Sequence, residues 1–595
     1  MTPSSAHDGI PASPGIVMGP AYVLRWEVPD IPHTTVPEGE IEAEVERFRT
    51  ACERARARIR EIQQRTTERL GAVEANIFDP QLLMLEDADL IDGTVAYIRE
   101  NRLSAARAFE LRMLEFQSAW RRTGHPMVMD RLTDLLDVET RVIRNLLGLE
   151  DPDFGLDGAN GKVILVARDL TPTITVQLDR AAILGIATDG GTRTSHSAIL
   201  ARALGLPAVV GLGDLSERVT TGQELILDGR AGRVIVAPGD REKALYRERD
   251  IKVREWEQEL VLLAHLEPVT PDRQPVLLRA NIDLPGEAEV ARKHGAQGVG
   301  LFRTEFLVVG RSTVPEEEEQ YRAYRQAVES FPQHAVYIRT YDLGGDKFPL
   351  FLHMPPEENP FLGWRAIRVC LDTPELFRTQ LRALLRATAH GDVRIMLPLV
   401  NDIEEIRRTR ALLEEEEERL REAGIAFNPG YKVGIMIETP AAALTAVELT
   451  RYADFFSIGT NDLVQYALAV DRGNARLAPR YTPFHPAVVR MLRHTAEAGR
   501  AAGIEVSVCG ELAANPLGVY LLLGLGVTAL SVGPSSLPEV KKVIRTAPAS
   551  DARAAVEEAL EAETTAGVMA ALTRGISRSL DLSLFSSRWN SSGPA

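Results

Sequence analysis

Residues 431–462 read YKVGIMIETPAAALTAVELTRYADFFSIGTND, and this stretch decides the fold predicted for the second half of the chain. An apolar run of strand length ends in polar residues, a helix-patterned segment follows, and a second apolar run again ends in polar residues. The alternation continues on both sides, with apolar strands starting at Val276, Gly298, Ala335, Val393, Tyr431, Asp454, Glu505 and Ala529. Eight such units predict a (β/α)8 TIM barrel with its functional residues at the carboxyl ends of the strands.

The barrel is expected to span residues 267–579, preceded by a charged helical linker over residues 241–266. The linker has little core of its own, so we predict that it joins two bodies that move relative to each other. Five consecutive glutamates, residues 414–418, are expected on the solvated outer face of a barrel helix. Residues 580–595 are expected to form a disordered tail.

The first half of the chain predicts a helical bundle inserted into an α/β domain. Apolar residues at three- and four-residue spacing make residues 37–148 helical. The flanking residues 1–36 and 149–240 carry short apolar β runs, with a turn predicted at Asp228-Gly229. The whole chain is therefore expected to be a multidomain α/β protein.

One histidine stands at a special place in the α/β domain, in the run GTRTSHSAILARALGLPAVVG over residues 191–211. Thr194 or Ser195 can cap the helix that follows, and the free N–H groups of the helix start favour an anion. A neutral imidazole at His196 is a usable nucleophile toward phosphorus. The alternative is a histidine with only a structural role in the cap, and residues in the barrel decide against it.

Polar residues follow five of the predicted barrel strands, and their types indicate a chemical function. They are Arg303, Arg339, Glu438, Asn461, Asp462, Cys509 and Glu511. One such residue could be a strand-end cap, but a set converging on one mouth indicates a site. Glu438 and Asp462 are hard oxygen ligands, few in number, as Mg²⁺ prefers. With Arg365, Arg472 and Lys347, the arginines would bind a carboxylate and a phosphate together.

Composition and charge exclude some classes of function. The net charge of −16 argues against a nucleic-acid partner, and no apolar run is long enough to span a membrane. No secretory signal precedes the first strand, and three widely separated cysteines fit a reducing compartment, so a cytoplasmic location is expected. Only eight of the 68 cationic residues are lysines, which makes Lys347 informative within its motif.

Together these motifs resemble enzyme I of the bacterial phosphoenolpyruvate:sugar phosphotransferase system. The resemblance rests on GTRTSHSAILAR, FFSIGTNDLVQYALAVDRGN, LFRTEFL, IRTYDLGGDK, NPFLGWRAIR, GIMIETPAA and VCGELA, together with the ASPGI segment and the bundle run IFDPQLLMLED. It covers nearly the whole chain. It implies a swivelling phosphohistidine domain, an inserted bundle that binds a carrier protein, and a barrel that binds phosphoenolpyruvate.

The resemblance also assigns roles to residues. His196 would take the phosphoryl group of phosphoenolpyruvate on Nε2, with Thr175 and Arg193 near the phosphate. The substrate would be bound by Arg303, Arg339, Asn461, Asp462 and Arg472, with added charge from Lys347 and Arg365. Glu438 and Asp462 would hold Mg²⁺, and Cys509, with Glu511 beside it, would protonate the enolate to give pyruvate. The alternative for Cys509 is a small buried residue at a strand end.

The phosphorylated histidine would then pass its group to the phosphocarrier protein HPr, docked on the bundle, and so start sugar uptake. The resemblance implies a homodimer formed through the barrel. Two departures concern the loop and the bundle. Thr192 replaces the second glycine of the pair that usually precedes R-T-S-H, so either Thr192 has ordinary dihedral angles or the loop is reshaped. Gln81 stands where many relatives have histidine.

Three rival functions are weighed against this one. Pyruvate,phosphate dikinase and phosphoenolpyruvate synthase share the signatures but need a nucleotide-binding domain, for which the chain has no room. A paralogue of the nitrogen branch is expected to carry an N-terminal sensory domain, yet here ASPGI begins almost at residue one. A catalytically silent scaffold is expected to have lost residues of the arginine clamp, and all are present.

Overall fold

The computed structural model describes most of the chain, in two compact units that divide between Ile251 and Lys252. The described residues are 4–26, 28–32, 34–70, 78–123, 132–149, 162–171, 174, 180–192, 195–309, 311, 313–345, 349, 351–352, 357–474 and 476–585. Within this part of the chain, no helix combines the length and apolar character needed to cross a lipid bilayer.

The first unit contains an eight-stranded mixed sheet. Its strands are β1 Ser5–Asp8, β2 Ile10–Ser13, β3 Ile16–Leu24, β4 Val163–Ala167, β5 Ile183–Thr188, β6 Ala208–Val210, β7 Glu224–Asp228 and β8 Arg233–Val236. The order is β1-β8-β7-β3-β4-β5-β6-β2, and β3 to β6 are parallel. Both flanks of the bundle therefore contribute to one sheet, as predicted. Its apolar clusters lie around Leu165 and Leu227.

Seven helices belong to this unit by the described residues. They are α1 Ile41–Leu70, α2 Asp79–Met84, α3 Ala88–Asn101, α4 Ala105–Thr123, α5 Leu132–Leu146, α6 His196–Leu204 and α7 Leu215–Arg218. Helices α1 to α5 form the predicted bundle, whose own core includes Phe48 and Phe109 at a ring distance of 5.5 Å. The stripe of apolar residues on each helix is therefore buried against its neighbours rather than against the sheet.

A buried polar contact joins the bundle to the sheet. Asp137 on α5 accepts hydrogen bonds from Trp26 Nε1 at 2.9 Å and from Thr171 Oγ1 at 3.1 Å. Gln81, one of the two departures noted in the sequence, is fully buried and donates to Asp134 at 3.2 Å within the bundle. Its amide therefore serves the packing of α2 against α5.

Helix α8, Asp240–Leu263, is the predicted linker, and it packs at both ends. In the first unit, Tyr246 joins the cluster around Ile226, and Arg249 forms an ion pair of 3.0 Å with the buried Asp228. In the second unit, Trp256 packs edge-on against Phe585 at 4.9 Å. The two anchoring contacts lie on either side of residues 250–255.

The second unit is the predicted TIM barrel. Its strands are β9 Leu277–Ile282, β10 Val299–Phe302, β11 Val336–Arg339, β12 Val393–Leu397, β13 Lys432–Ile437, β14 Phe455–Ile458, β15 Glu505–Val508 and β16 Ala529–Val532. Each pairs in parallel with the next, and β16 returns to β9, which closes the barrel. The outer helices are α9 Glu287–Lys293, α10 Glu317–Glu329, α11 Ile367–Asp372, α12 Pro374–Ala387, α13 Ile403–Glu422, α14 Pro440–Leu444, α15 Ala446–Leu449, α16 Thr460–Leu468, α17 Pro486–Ala502, α18 Pro516–Gly524, α19 Leu537–Thr546, α20 Ala549–Glu561 and α21 Thr565–Ile576.

Side chains fill the barrel in layers. Near the amino ends of the strands, Glu505 accepts hydrogen bonds from Arg279 at 3.0 Å and from Tyr337 at 2.5 Å, and Arg394 stacks over the Tyr337 ring. Burial alone would raise the pKa of Glu505, but the hydrogen bonds and charge of Arg279 hold it below its ordinary value. Phe455, the register partner of Glu505 on β14, packs edge-on against Tyr337 at 4.8 Å and clusters with Met396 and Met436, so side chains fill this end of the barrel.

Two predictions about the barrel were wrong in part. Glu416, in the middle of the acidic run, is fully buried and pairs with Arg378 at 2.7 Å and Arg382 at 2.8 Å, because it belongs to the buried stripe of α13. The tail was predicted to begin too early, since Leu580 and Phe585 are both buried in the barrel core. The rest of the predicted tail lies outside the described residues.

Candidate functional site

A cavity of about 640 Å³ opens at the carboxyl ends of the barrel strands. It lies where a TIM barrel places its site, and strands on several sides contribute to it. Nine residues singled out by the sequence line it: Arg303, Arg339, Arg365, Glu438, Asn461, Asp462, Arg472, Cys509 and Glu511. Their convergence in one cavity is what the strand-end pattern predicted.

Arg339, the last residue of β11, is held by two carboxylates. Its guanidinium lies 2.8 Å from Glu305 and 3.2 Å from Asp342, and all three side chains are buried. Nε of Arg339 has no hydrogen-bond partner within the described residues. Because both neighbours fix the guanidinium plane, it is oriented before any anion binds.

Arg365 bridges two carboxylates and an aromatic ring. It lies 2.9 Å from Asp342 and 3.1 Å from Asp462, and its guanidinium stands over the Phe361 ring at 5.4 Å. Arg472 approaches the same ring at 5.9 Å and Asp462 at 3.8 Å. The two guanidinium groups therefore share partners and place positive charge on one side of the cavity.

Glu438 follows β13 and is buried. Its Oε1 accepts a hydrogen bond from the backbone N–H of Leu399 at 2.6 Å. Burial, together with the negative charges of Asp462 and Asp342, raises the pKa of Glu438 to about 8, against the opposing charge of Arg339. A cation beside Glu438 would favour the ionised form of its carboxyl group.

Asn461 and Asp462 lie in the first turn of α16, directly after β14. Asn461 Oδ1 accepts the backbone N–H of Glu511 at 3.0 Å, and Tyr481 donates to the Asn461 carbonyl at 2.9 Å. Gly510 is required here, because a Cβ at that position would lie 1.9 Å from Thr460 Oγ1. The loops after β14 and β15 are thereby locked together.

Cys509 follows β15, is 3% exposed and lines the cavity. Its Sγ accepts a hydrogen bond from Ser457 Oγ at 3.3 Å. Burial raises the pKa of the thiol, with the Ser457 hydrogen bond opposing that rise. The group therefore keeps its proton at neutral pH, as a proton donor must.

The charges around the cavity suit an anion only with help from a cation. Its described lining holds four arginines and six carboxyl groups. Arg303 is itself paired with Asp283 at 2.6 Å. No group of three acidic, histidine or cysteine side chains that could hold a metal occurs among the described residues. Glu438 and Asp462 fit Mg²⁺, which takes few protein oxygens and completes its shell with water and substrate.

His196 begins helix α6 in the first unit. Gly191 carries the left-handed turn before it with φ 105°, and Thr192 is not among the described non-glycine residues with positive φ. Ser195 is the N-cap by position, but its hydroxyl donates to the Thr192 carbonyl at 2.9 Å. Ser197 donates to Asp169 at 2.9 Å, which fixes the first turn of the helix. The predicted site residues Thr175, Arg193 and Lys347, and the alternative cap Thr194, lie outside the described residues.

The sequence analysis did not single out four lining residues: Asp283, Glu305, Asp342 and Tyr481. Asp283 directly follows β9, and Glu305 and Asp342 each lie three residues after the end of β10 and β11, so the strand-end rule could have found them. They pair with the arginines of the site, and such pairing depends on distances between loops that the sequence does not contain. Tyr481 comes from a loop far from any strand end and carries no such signal.

Comparisons with known proteins agree with this geometry. Three family models match the chain: PEP-utilising enzyme, N-terminal, over residues 8–131; the mobile domain of PEP-utilising enzymes over residues 159–232; and their PEP-binding domain over residues 257–548. A phosphoenolpyruvate-protein phosphotransferase of Geobacillus stearothermophilus is 39% identical, with 96% of this chain and 98% of that protein covered. Proteins of the same name from Haemophilus influenzae, 40% identical, and Staphylococcus carnosus, 39% identical, each match over 94% of this chain and 97% of their own length.

Proposed function

The chain belongs to the phosphoenolpyruvate-protein phosphotransferase family, and from that premise we propose how its residues carry the reaction. It is a transferase that moves the phosphoryl group of phosphoenolpyruvate to its own His196 and then to a histidine of HPr, releasing pyruvate. This is the first step of the sugar phosphotransferase cascade. The convergence of nine predicted residues in the barrel cavity is the observation that carries the proposal.

Phosphoenolpyruvate carries a carboxylate and a phosphate on a small apolar frame. Arg303, Arg339 and Arg472 would pair with its oxygens, since each presents a guanidinium to the cavity. Asn461 would add a neutral donor. Arg365 and Lys347 would add positive charge. The preset orientation of Arg339 between Glu305 and Asp342 means that little side-chain freedom is lost on binding.

Phosphoryl transfer needs position and charge more than covalent help from the barrel. Nε2 of His196 attacks phosphorus, the bond between phosphorus and the enol oxygen breaks, and the electron pair stays on the oxygen as an enolate. Thr175 and Arg193 would contact the phosphate. Mg²⁺, held by Glu438 and Asp462, would neutralise charge on the phosphate and the enolate oxygen.

Cys509 then completes the product. Its S–H bond breaks, the proton goes to the methylene carbon of the enolate, and pyruvate forms with a thiolate left on Sγ. Glu511, which lines the cavity two residues after Cys509, would influence this proton transfer. The thiolate regains a proton from water. A thiol that stays protonated at neutral pH supports this role.

Membership of the family supports a proposal about partners and location. We propose that HPr docks on the helical bundle, that the chain forms a homodimer through the barrel, and that it works in the cytoplasm. Because His196 and the cavity belong to different compact units, the histidine would be a mobile carrier that visits the cavity and then delivers to HPr.

The proposal is tested by incubating the full chain with phosphoenolpyruvate labelled on phosphorus and with Mg²⁺. We expect an acid-labile, base-stable label that HPr removes, and no label on the His196→Ala variant. His7→Ala, which changes another histidine of the same unit, should be labelled like the unchanged protein. Undiminished labelling of His196→Ala would contradict the assignment.

A further inference from the structure

Ser457 lies directly beneath the reacting thiol and has no part in binding the substrate. It is the third residue of β14, fully buried, and its Oγ stands 3.3 Å from Cys509 Sγ. It is not among the residues that line the cavity. Its hydroxyl therefore faces the thiol from the interior of the barrel, on the side opposite the opening.

Among the described residues, Sγ forms one other hydrogen bond, which it donates to the carbonyl of Ile458 at 3.7 Å. The apolar side chains that cluster with Cys509 include Met436 and Phe455. A carbonyl oxygen can accept the S–H proton but cannot stabilise a thiolate. Ser457 is thus the hydroxyl donor that the described neighbours of Sγ provide.

The position of Cys509 is fixed independently of this contact. Asn281 on β9 donates to the Cys509 carbonyl at 2.8 Å, and Ser531 on β16 donates to Asn281 Oδ1 at 2.7 Å. Asn281 therefore holds the residue through its backbone carbonyl, and Ser457 on β14 contacts its sulfur. Loss of the Ser457 hydroxyl would leave the sulfur in place without its donor.

We propose that Ser457 is a positioning residue for proton transfer: its hydroxyl donates a hydrogen bond to Sγ and stabilises the thiolate that remains when Cys509 gives its proton to the enolate. This inference rests on the proposed role of Cys509. The step balances as an S–H bond broken and a C–H bond formed, with the electron pair of the former left on sulfur. A buried thiolate without a donor is costly, so the transition state for protonation would rise in energy.

Other charged groups also face the thiol, and they set its acidity together with Ser457. Glu438 after β13 opposes ionisation of the thiol, and Arg303 after β10 and Arg339 in β11 favour it. The substitution of Ser457 leaves these groups unchanged. A change in the pH dependence of Cys509 in such a variant therefore reports on the hydroxyl.

The test compares Ser457→Ala with Ser507→Ala. Ser507 is the register partner of Ser457 on β15 and is also buried, but its hydroxyl donates to the Phe456 carbonyl. In Ser457→Ala we expect pyruvate release to slow about tenfold or more, while the KM for phosphoenolpyruvate stays close to that of the unchanged protein. The pH midpoint for alkylation of Cys509 by iodoacetamide, followed by peptide mass spectrometry, should rise. Ser457→Thr, which keeps the hydroxyl, should restore both readouts in large part.

Two results would overturn the proposal. One is an unchanged alkylation midpoint and unchanged pyruvate release in Ser457→Ala; the other is an equal effect in Ser507→Ala. A Cys509→Ser variant separates this failure from that of the proposed function. Full turnover of Cys509→Ser would remove the acid role and the inference with it, whereas slow turnover of Cys509→Ser with normal turnover of Ser457→Ala would remove only the role of Ser457.

Discussion

At the residue scale, Glu139 is a carboxyl group placed where ionisation is unfavourable. It is buried in the bundle on α5, and Gln117 donates to it at 2.6 Å. Burial raises the pKa of Glu139 to about 7, the negative charge of Glu110 adds to the effect, and the Gln117 hydrogen bond opposes it. The folded bundle therefore holds a proton that the unfolded chain releases at lower pH.

The sign of the pH dependence follows from this difference. Below pH about 4.5 the group is protonated in both states, and as pH rises toward 7 the unfolded chain loses its proton first. Stability of the first unit should fall over this range. We expect Glu139→Gln to be more stable than the unchanged protein by about 3 kcal/mol at pH 8, with the difference vanishing below pH about 4.

Thermal unfolding at a series of pH values measures this prediction. Glu46→Gln, a substitution at an exposed position of α1, is the matched control and should give a difference that does not change with pH. A pH-independent effect of Glu139→Gln would show that the carboxyl group ionises alike in the folded and unfolded chain.

At the element scale, helix α13 buries Glu416, whereas Glu414, Glu415 and Glu418 of the same acidic run are exposed. Glu416 pairs with Arg378 and Arg382 of α12, while Glu418 is 64% exposed beside Arg421. Removing one partner of a buried ion pair leaves the other charges uncompensated. We expect Glu416→Ala to lower the free energy of unfolding of the barrel by about 3 kcal/mol and Glu418→Ala by less than about 0.5 kcal/mol, measured by urea unfolding. Equal effects of the two variants would contradict the ion-pair argument.

The same helix shows how far the sequence leads. Its buried residues Ile406, Thr409, Leu413, Glu416 and Leu420 follow a helical repeat that is readable in the sequence, so the burial of Glu416 could have been predicted from its phase. Because the five residues are identical, the buried position within the repeat was easily overlooked. What no pattern contains is the partner, because Arg378 and Arg382 reach Glu416 only once α12 and α13 pack side by side.

The candidate site divides in the same way. Alternating strands and helices predicted the barrel, and the strand-end rule then placed Arg339, Glu438 and Cys509 at one mouth. The sequence could not supply the hydrogen bond from Ser457 to Cys509, since the two residues lie on neighbouring strands and their distance depends on register. It also could not show that Arg339 is already held by two carboxylates.

At the scale of the whole molecule, helix α8 is the continuous connection between the two units. Arg249 is fixed to Asp228 in the first unit, and Trp256 is packed against Phe585 in the second. If His196 must travel to the barrel cavity, the helix between these anchors determines where it can go. Lys252 lies in this stretch and is exposed.

We expect Lys252→Pro to break α8 locally and to slow labelling of His196 by phosphoenolpyruvate about tenfold or more, since proline removes a helical hydrogen bond and clashes with the preceding turn. Exchange of the phosphoryl group between His196 and HPr should continue, because in the proposed mechanism this step involves only the first unit. Lys252→Ala, which keeps the helix, is the control. Normal labelling of Lys252→Pro by phosphoenolpyruvate would contradict a role for residues 250–255 in the movement of His196.

The filled amino end of the barrel limits how substrate and product can reach the cavity. Arg279, Tyr337, Arg394 and Glu505 fill the interior near the amino ends of the strands, so within the described part of the chain the cavity opens at the carboxyl ends of the strands. In the proposed mechanism, phosphoenolpyruvate and pyruvate would therefore pass through the same opening, as would the water that returns a proton to Cys509. Pyruvate would then have to leave the cavity before the next phosphoenolpyruvate enters, so a high concentration of pyruvate would slow turnover.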